Sequence, residues 1–284
     1  MWSLYLFVNK LLNLEDVKES GFGEDGSSLV RSCSFKFPSI DGINSGAVSL
    51  RSCFIEVPHV NQLHHWDCGL ACVLMVLQTV GVKDCDLQAL GMLCRTTSIW
   101  TVDLAYLLKK FSITFSYFTL TIGVNPNFCM ETFYKDQLPN DLVRVDMLFQ
   151  KAVETGIEIE CRSISQEDIS LLILSGKYIA IALVDQYKLS RSWLKDVCIS
   201  SFYSNSLGYT GHYIVICGYD SNTDEFEIRD PASPRKHERV SSSCLDEARK
   251  SFGTDEDILL ISLESGCKEE KTTSPNVDSC SRHS

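Results

Sequence analysis

The chain has 284 residues, 44% apolar and 22% charged, with a formal net charge of -11 and a pI near 5.0. That balance suits an ordinary globular protein of one large or two small domains. The negative charge opposes the phosphate attraction behind non-specific nucleic-acid binding, so DNA and RNA are not expected partners, and no run approaches the roughly 18 apolar residues of a membrane span.

The first elements read as follows. Residues 1–14 are apolar, without a basic flank or a small-residue cleavage site, and predict a helix; the weaker alternative is an interfacial anchor, with Lys10 as its one basic residue. Residues 15–56 are rich in Gly, Ser and Asp and are expected to form a mobile insertion. The body, 57–263, opens with Asp67 as N-cap of a helix whose apolar positions Ala71, Val73, Leu74, Val76, Leu77 and Val80 share a face, ended by Gly81. A helix over 102–111, a strand over 113–120, a helix over 141–154, a strand over 156–162 and a Ser165-capped helix to 174 follow. Residues 178–184 are unbroken apolar and predict a strand buried on both faces. Strands over 211–219 and 224–229 flank the turn-rich Asp220-Ser221-Asn222-Thr223, a hairpin signal. A helix over 243–251 and a strand over 258–263 complete an α+β reading, and 264–284 is expected to be a disordered tail.

Thirteen cysteines, an odd number scattered along the chain, do not look like a disulfide framework. Cys72, Cys161 and Cys217 fall in apolar periodic segments. Reduced thiols imply a cytoplasmic protein, with the nucleus as a second compartment.

One constellation carries chemistry. Cys68 falls in the first turn of a helix, where exposed N–H groups and the helix dipole favour thiolate. Folding the hairpin brings His212 to within about one residue pair of Asp230. Cys68 as nucleophile, His212 as base and Asp230 as its orienting partner satisfy the logic of a catalytic triad, and the amide of Gln62 is a candidate oxyanion donor beside the Cys68 N–H. A zinc site from His64, His65, Cys68 and Cys72 is disfavoured, because the spacing matches no common ligand pattern and Cys72 is on the apolar face. Trp66, Trp100 and Tyr213 are candidate cleft aromatics, although large aromatics are more often core.

Gln62-Leu63-His64-His65-Trp66-Asp67-Cys68-Gly69-Leu70-Ala71-Cys72, Gly211-His212-Tyr213-Ile214-Val215 and Ile228-Arg229-Asp230-Pro231-Ala232 resemble, in order and spacing, the papain-like peptidases that cleave double-glycine leaders. The resemblance implies a papain-like fold, with the Cys68 helix packed on an antiparallel sheet carrying His212 and Asp230, and a peptide substrate. A wider resemblance, to the plant soluble guanylyl cyclase family, rests on Met1-Trp2-Ser3-Leu4-Tyr5, on the run from Trp66 to Leu77, and on Ser98-Ile99-Trp100-Thr101-Val102-Asp103-Leu104-Ala105-Tyr106-Leu107-Leu108. Tyr209-Thr210-Gly211-His212-Tyr213 and Ser251-Phe252-Gly253-Thr254-Asp255-Glu256-Asp257 extend it. It implies GTP as substrate, cyclic GMP and diphosphate as products, and Mg²⁺ or Mn²⁺ as cofactor. The sequence has no phosphate-binding glycine loop and no clear paired-aspartate metal site. Asp255 with Asp257, or Asp141 with Asp146, are the nominees, expected to be solvated acids near element ends. The residues themselves speak for a cysteine-dependent peptidase or amide hydrolase, with a binding module that lacks turnover as the remaining alternative.

Overall fold

The computed structural model describes residues 51–125, 127–128, 133, 138–194 and 209–264. The helix expected over 1–14, residues 15–50 of the expected insertion and residues 265–284 of the expected tail lie outside them. In chain order the described elements are β1 (Ser52–Phe54), α1 (Cys68–Thr79), α2 (Leu87–Cys94), α3 (Thr101–Lys110), β2 (Phe115–Thr119), α4 (Leu138–Ala152), β3 (Ile159–Cys161) and α5 (Gln166–Leu174). They continue with β4 (Tyr178–Asp185), α6 (Gln186–Leu194), β5 (Gly211–Asp220), β6 (Glu225–Arg229), β7 (Glu238–Ser241), α7 (Ser242–Arg249) and β8 (Ile258–Ser262).

The strands form one sheet in the order β3-β2-β8-β4-β5-β6-β7, with β1 beside β5. Pairing is antiparallel throughout except between β2 and β3. The expected antiparallel sheet is therefore mixed, because α4 connects β2 to β3 as a crossover and a crossover returns the chain in the same direction. β1 is a second departure from expectation: Ser52–Phe54 lies within the stretch expected to be mobile, yet it pairs with Gly218–Asp220 of β5.

The sheet is covered on both faces. Ile179, Ile181 and Leu183 of β4 join Tyr213, Val215 and Cys217 of β5 in a core with α1 to α4. Ala180, Ala182 and Val184 join Ile214, Ile216 and the apolar residues of α5 and α7 in a second core. That double burial is why 178–184 carries no polar alternation. Helix α1 is buried from Cys68 through Leu77. Gly81 (φ +90) follows its C-cap in a conformation that a residue with a Cβ rarely adopts.

Asp67 occupies the N-cap position, but its side chain makes no cap bond. Its Oδ1 accepts the N–H groups of Leu63 (3.1 Å) and His64 (3.0 Å), and its Oδ2 pairs with His64 Nδ1 at 3.1 Å. The carboxylate therefore folds the incoming loop, and the N–H groups of the first turn of α1 are not consumed by a side-chain cap.

Candidate active site

Cys68 opens α1 and is 6% exposed; His212 lies near the start of β5 and is 3% exposed. Asp230 follows β6 directly. Extending the register past Val215↔Arg229 sets Asp230 across from Ile214, so it reaches His212 on the diagonal. The contact is close: His212 Nε2 lies 2.7 Å from Asp230 Oδ1. Asp230 is fixed in turn by the Ala232 N–H, which donates to Oδ1 at 2.8 Å, and by His59 Nε2, which donates to its carbonyl at 2.9 Å.

With Nε2 facing Asp230, Nδ1 is the ring nitrogen left for Cys68, whose side chain acts on the imidazole. Burial pulls the His212 pKa down, but the hydrogen bonds to Asp230 and Cys68 and the charges of both carry it up to about 9. Burial works against the Asp230 carboxylate too, and the imidazole overrides it, holding the carboxyl below its ordinary range. Cys72, one turn further along α1, is pushed well up by burial and by the charges of Cys68 and Asp230, so it remains a thiol in the core.

Gln62 stands apart from this group. Its Nε2 donates to the His64 carbonyl at 2.9 Å, its backbone N–H donates to Pro231 O at 3.0 Å, and it is absent from the cleft wall. His64, from the disfavoured zinc set, binds Asp67 and stacks on Trp66 with ring centroids 5.6 Å apart. Among the described residues, no group of three or more His, Cys, Asp or Glu is placed to hold a metal.

Beside Cys68 lies a cavity of about 210 Å³ lined by Trp66, Trp100, Tyr213, Asp255 and Asp257 among others. The three candidate aromatics thus do face a cleft. One wall is clamped from α4: Trp100 Nε1 donates to Asp141 Oδ2 at 3.0 Å, and Arg144 reaches Ser98 O (2.9 Å), Asp141 Oδ1 (3.0 Å) and Asp103. Asp103 in turn accepts the Trp100 N–H at 2.9 Å. The opposite wall is the turn leading into β8. There Asp255 Oδ1 accepts Thr121 Oγ1 (3.0 Å) and Asn125 Nδ2 (3.1 Å), and Asp257 Oδ2 accepts Tyr117 OH at 3.2 Å. Asp141 and Asp257 are therefore buried, at 4% and 7% exposure, contrary to their expectation as solvated acids. Burial pushes Asp257 up to about 7 against the pull of the hydroxyls of Thr101, Thr119 and Tyr117, with the Asp255 charge adding to the push.

A family model described as guanylylate cyclase matches residues 57–261. The chain belongs to the guanylylate cyclase family. A curated relative in Arabidopsis thaliana, named Guanylyl cyclase 1, is 58% identical over 266 residues, covering 93% of this chain and 97% of the relative. The guanylylate cyclase match runs from Val57 into β8 and so contains Cys68, His212, Asp230 and both walls of the cleft. Among solved structures, a C39-like peptidase from Bacillus anthracis is similar at a TM-score of 0.44 and 15% identity, covering 74% of this chain and 96% of its own. Xylellain, a cysteine protease from Xylella fastidiosa, is similar at 0.41 and 13% identity, covering 75% and 85%.

Proposed function

We propose that the cleft is the site of thiol-dependent acyl transfer, with a peptide or related amide as substrate class. The observation that carries this reading is the His212–Asp230 hydrogen bond at 2.7 Å with Cys68 on the other side of the imidazole, beside a cavity. Cys68, as thiolate, attacks the acyl carbon and the C=O electron pair moves onto oxygen, facing the N–H groups at the start of α1. Collapse breaks the bond to the leaving amine, which takes its proton from His212. Water, deprotonated by His212, then attacks the thioester; the C–S bond breaks and the acid leaves. Asp230 keeps the imidazole in the tautomer and orientation both steps need. The oxyanion role for Gln62 calls for its second amide hydrogen, since the first is given to His64 O.

The test is acylation by p-nitrophenyl acetate. Cys68 is expected to gain one acetyl group, located by mass spectrometry, and to lose it on standing; His212→Ala is expected to slow both steps by at least about 10²-fold. No label at Cys68, or equal labelling in His212→Ala, would contradict the reading.

Family membership and the name of the Arabidopsis relative favour a second reading, conversion of GTP to cyclic GMP and diphosphate. That reaction calls for Mg²⁺ or Mn²⁺. The cleft carboxylates do not fit such an ion well: Asp255 Oδ1 already accepts two donors, and Asp257 is buried at 7% exposure. Cyclic GMP formation from GTP with either ion by wild type, and its persistence or loss in Cys68→Ser, decides this reading and whether it shares the cleft.

A further inference from the structure

The cleft contains a group that the acyl-transfer chemistry does not use. Asp257 lines the cavity, is 7% exposed, and its Oδ1 has no hydrogen-bond partner among the described residues. An acid buried without a full set of donors is costly unless a ligand completes it. Asp255 lies two residues away on the same wall. Trp66, Trp100, Phe128, Leu183 and Tyr213 give the cavity aromatic and aliphatic surface, and His65 and the hydroxyls of Thr97, Ser98, Thr101 and Thr254 also line it. Carboxylate plus aromatic rings is the chemistry that accepts an organic cation, since the rings tolerate its apolar body and attract its charge while the acid neutralises it. At about 210 Å³ the cavity is smaller than the roughly 300–1,000 Å³ of a pocket for a drug-sized ligand, so it suits one side chain.

We propose that the cleft is a subsite for the ammonium or guanidinium group of the molecule on which Cys68 acts, with Asp257 as counter-ion and Asp255 adding negative potential. The inference rests on the thiol reading, because it makes Cys68 the reacting neighbour of the bound cation.

The experiment uses three methanethiosulfonates at pH 8, carrying a trimethylammonium group, a sulfonate group or no charge. Each reacts with a thiolate to form a mixed disulfide and release methanesulfinate, and the rate is read separately at Cys68 and at the exposed Cys161 by mass spectrometry. Cys161 reports the general preference that a chain of net charge -11 gives to any cation. At Cys68 the cation-to-anion rate ratio is expected to exceed that at Cys161 by at least about tenfold. Asp257→Asn, or Asp255→Asn if the first does not fold, is expected to bring the two ratios closer. N-acetyl-lysine amide or N-acetyl-arginine amide is expected to protect Cys68 from the neutral reagent, the better of the two marking ammonium or guanidinium, whereas N-acetyl-norleucine amide is not. Equal ratios at Cys68 and Cys161, or equal protection by norleucine, would overturn the subsite and leave the thiol reading standing. Failure of Cys68 to react with any reagent while Cys161 does would overturn the thiol reading itself.

Discussion

His212 and Asp257 are both buried titratable groups with raised pKa values, so both make the fold less stable as pH rises, over different windows. His212 is raised from 6.5 to about 9, so the stability from its protonated form is fully present below pH 6.5 and is lost as pH rises through about 9. Asp230→Asn removes the partner at 2.7 Å. It is expected to cost on the order of 3 kcal/mol at pH 6 and little at pH 10, measured by urea unfolding at each pH. Equal costs at both would break the linkage. Asp257 is raised from 3.8 to about 7, so its burial favours the neutral acid and destabilises the fold progressively from about pH 4 to 7. Asp257→Asn is accordingly expected to be more stable than wild type at pH 8, the pattern of a residue kept for function.

The wall carrying Trp100 depends on α4. Asp103 and Asp141 are buried and Arg144 is the cation shared between them. Arg144→Met would leave two buried carboxylates without it, at a cost of about 3 kcal/mol, the low end for an uncompensated buried charge because Arg144 is itself 31% exposed. The same variant is expected to slow acylation at Cys68 less than tenfold if the wall only shapes the cleft. Trp100 fluorescence and unfolding together check this. α4 itself was legible, expected over 141–154 and found at Leu138–Ala152, but the Asp141–Arg144–Asp103 cluster was not, since nothing local in the sequence marks an acid as buried. β4 and the β5–β6 hairpin were legible from an unbroken apolar run and a turn of Asp, Ser, Asn and Thr. α2 was not legible although Asp86 caps it, accepting Ala89 N–H at 2.8 Å, because Asp is as common in turns as at helix starts. β7 is four residues with a Glu and an Arg, too short and polar for alternation to register. Asp67 misled as a helix cap because the residue type fits both the cap and the loop it binds instead. At the site, Cys68, His212 and Asp230 were readable from helix start and hairpin geometry, whereas Asp257 was set aside because sequence alone places acids in solvent.

The described residues build one sheet shared by two cores, and β4 contributes to both through alternate residues. Ile181→Ala in one core and Val184→Ala in the other are each expected to lower a single unfolding midpoint, the first by about 2–5 kcal/mol, without splitting the transition. Two separate transitions would mean that the cores are independent. The same sheet fixes the spacing between α1 on one face and the ends of β5 and β6, which is what holds Cys68 against His212. The most direct test of that assembly is the pH profile of Cys68 alkylation by iodoacetamide, followed by peptide mapping with Cys161 as internal reference. Cys68 is expected to be alkylated faster than Cys161 at neutral pH, and His212→Ala to remove that difference. A Cys68 rate that tracks Cys161 across the whole pH range in the wild-type protein would contradict the thiol site.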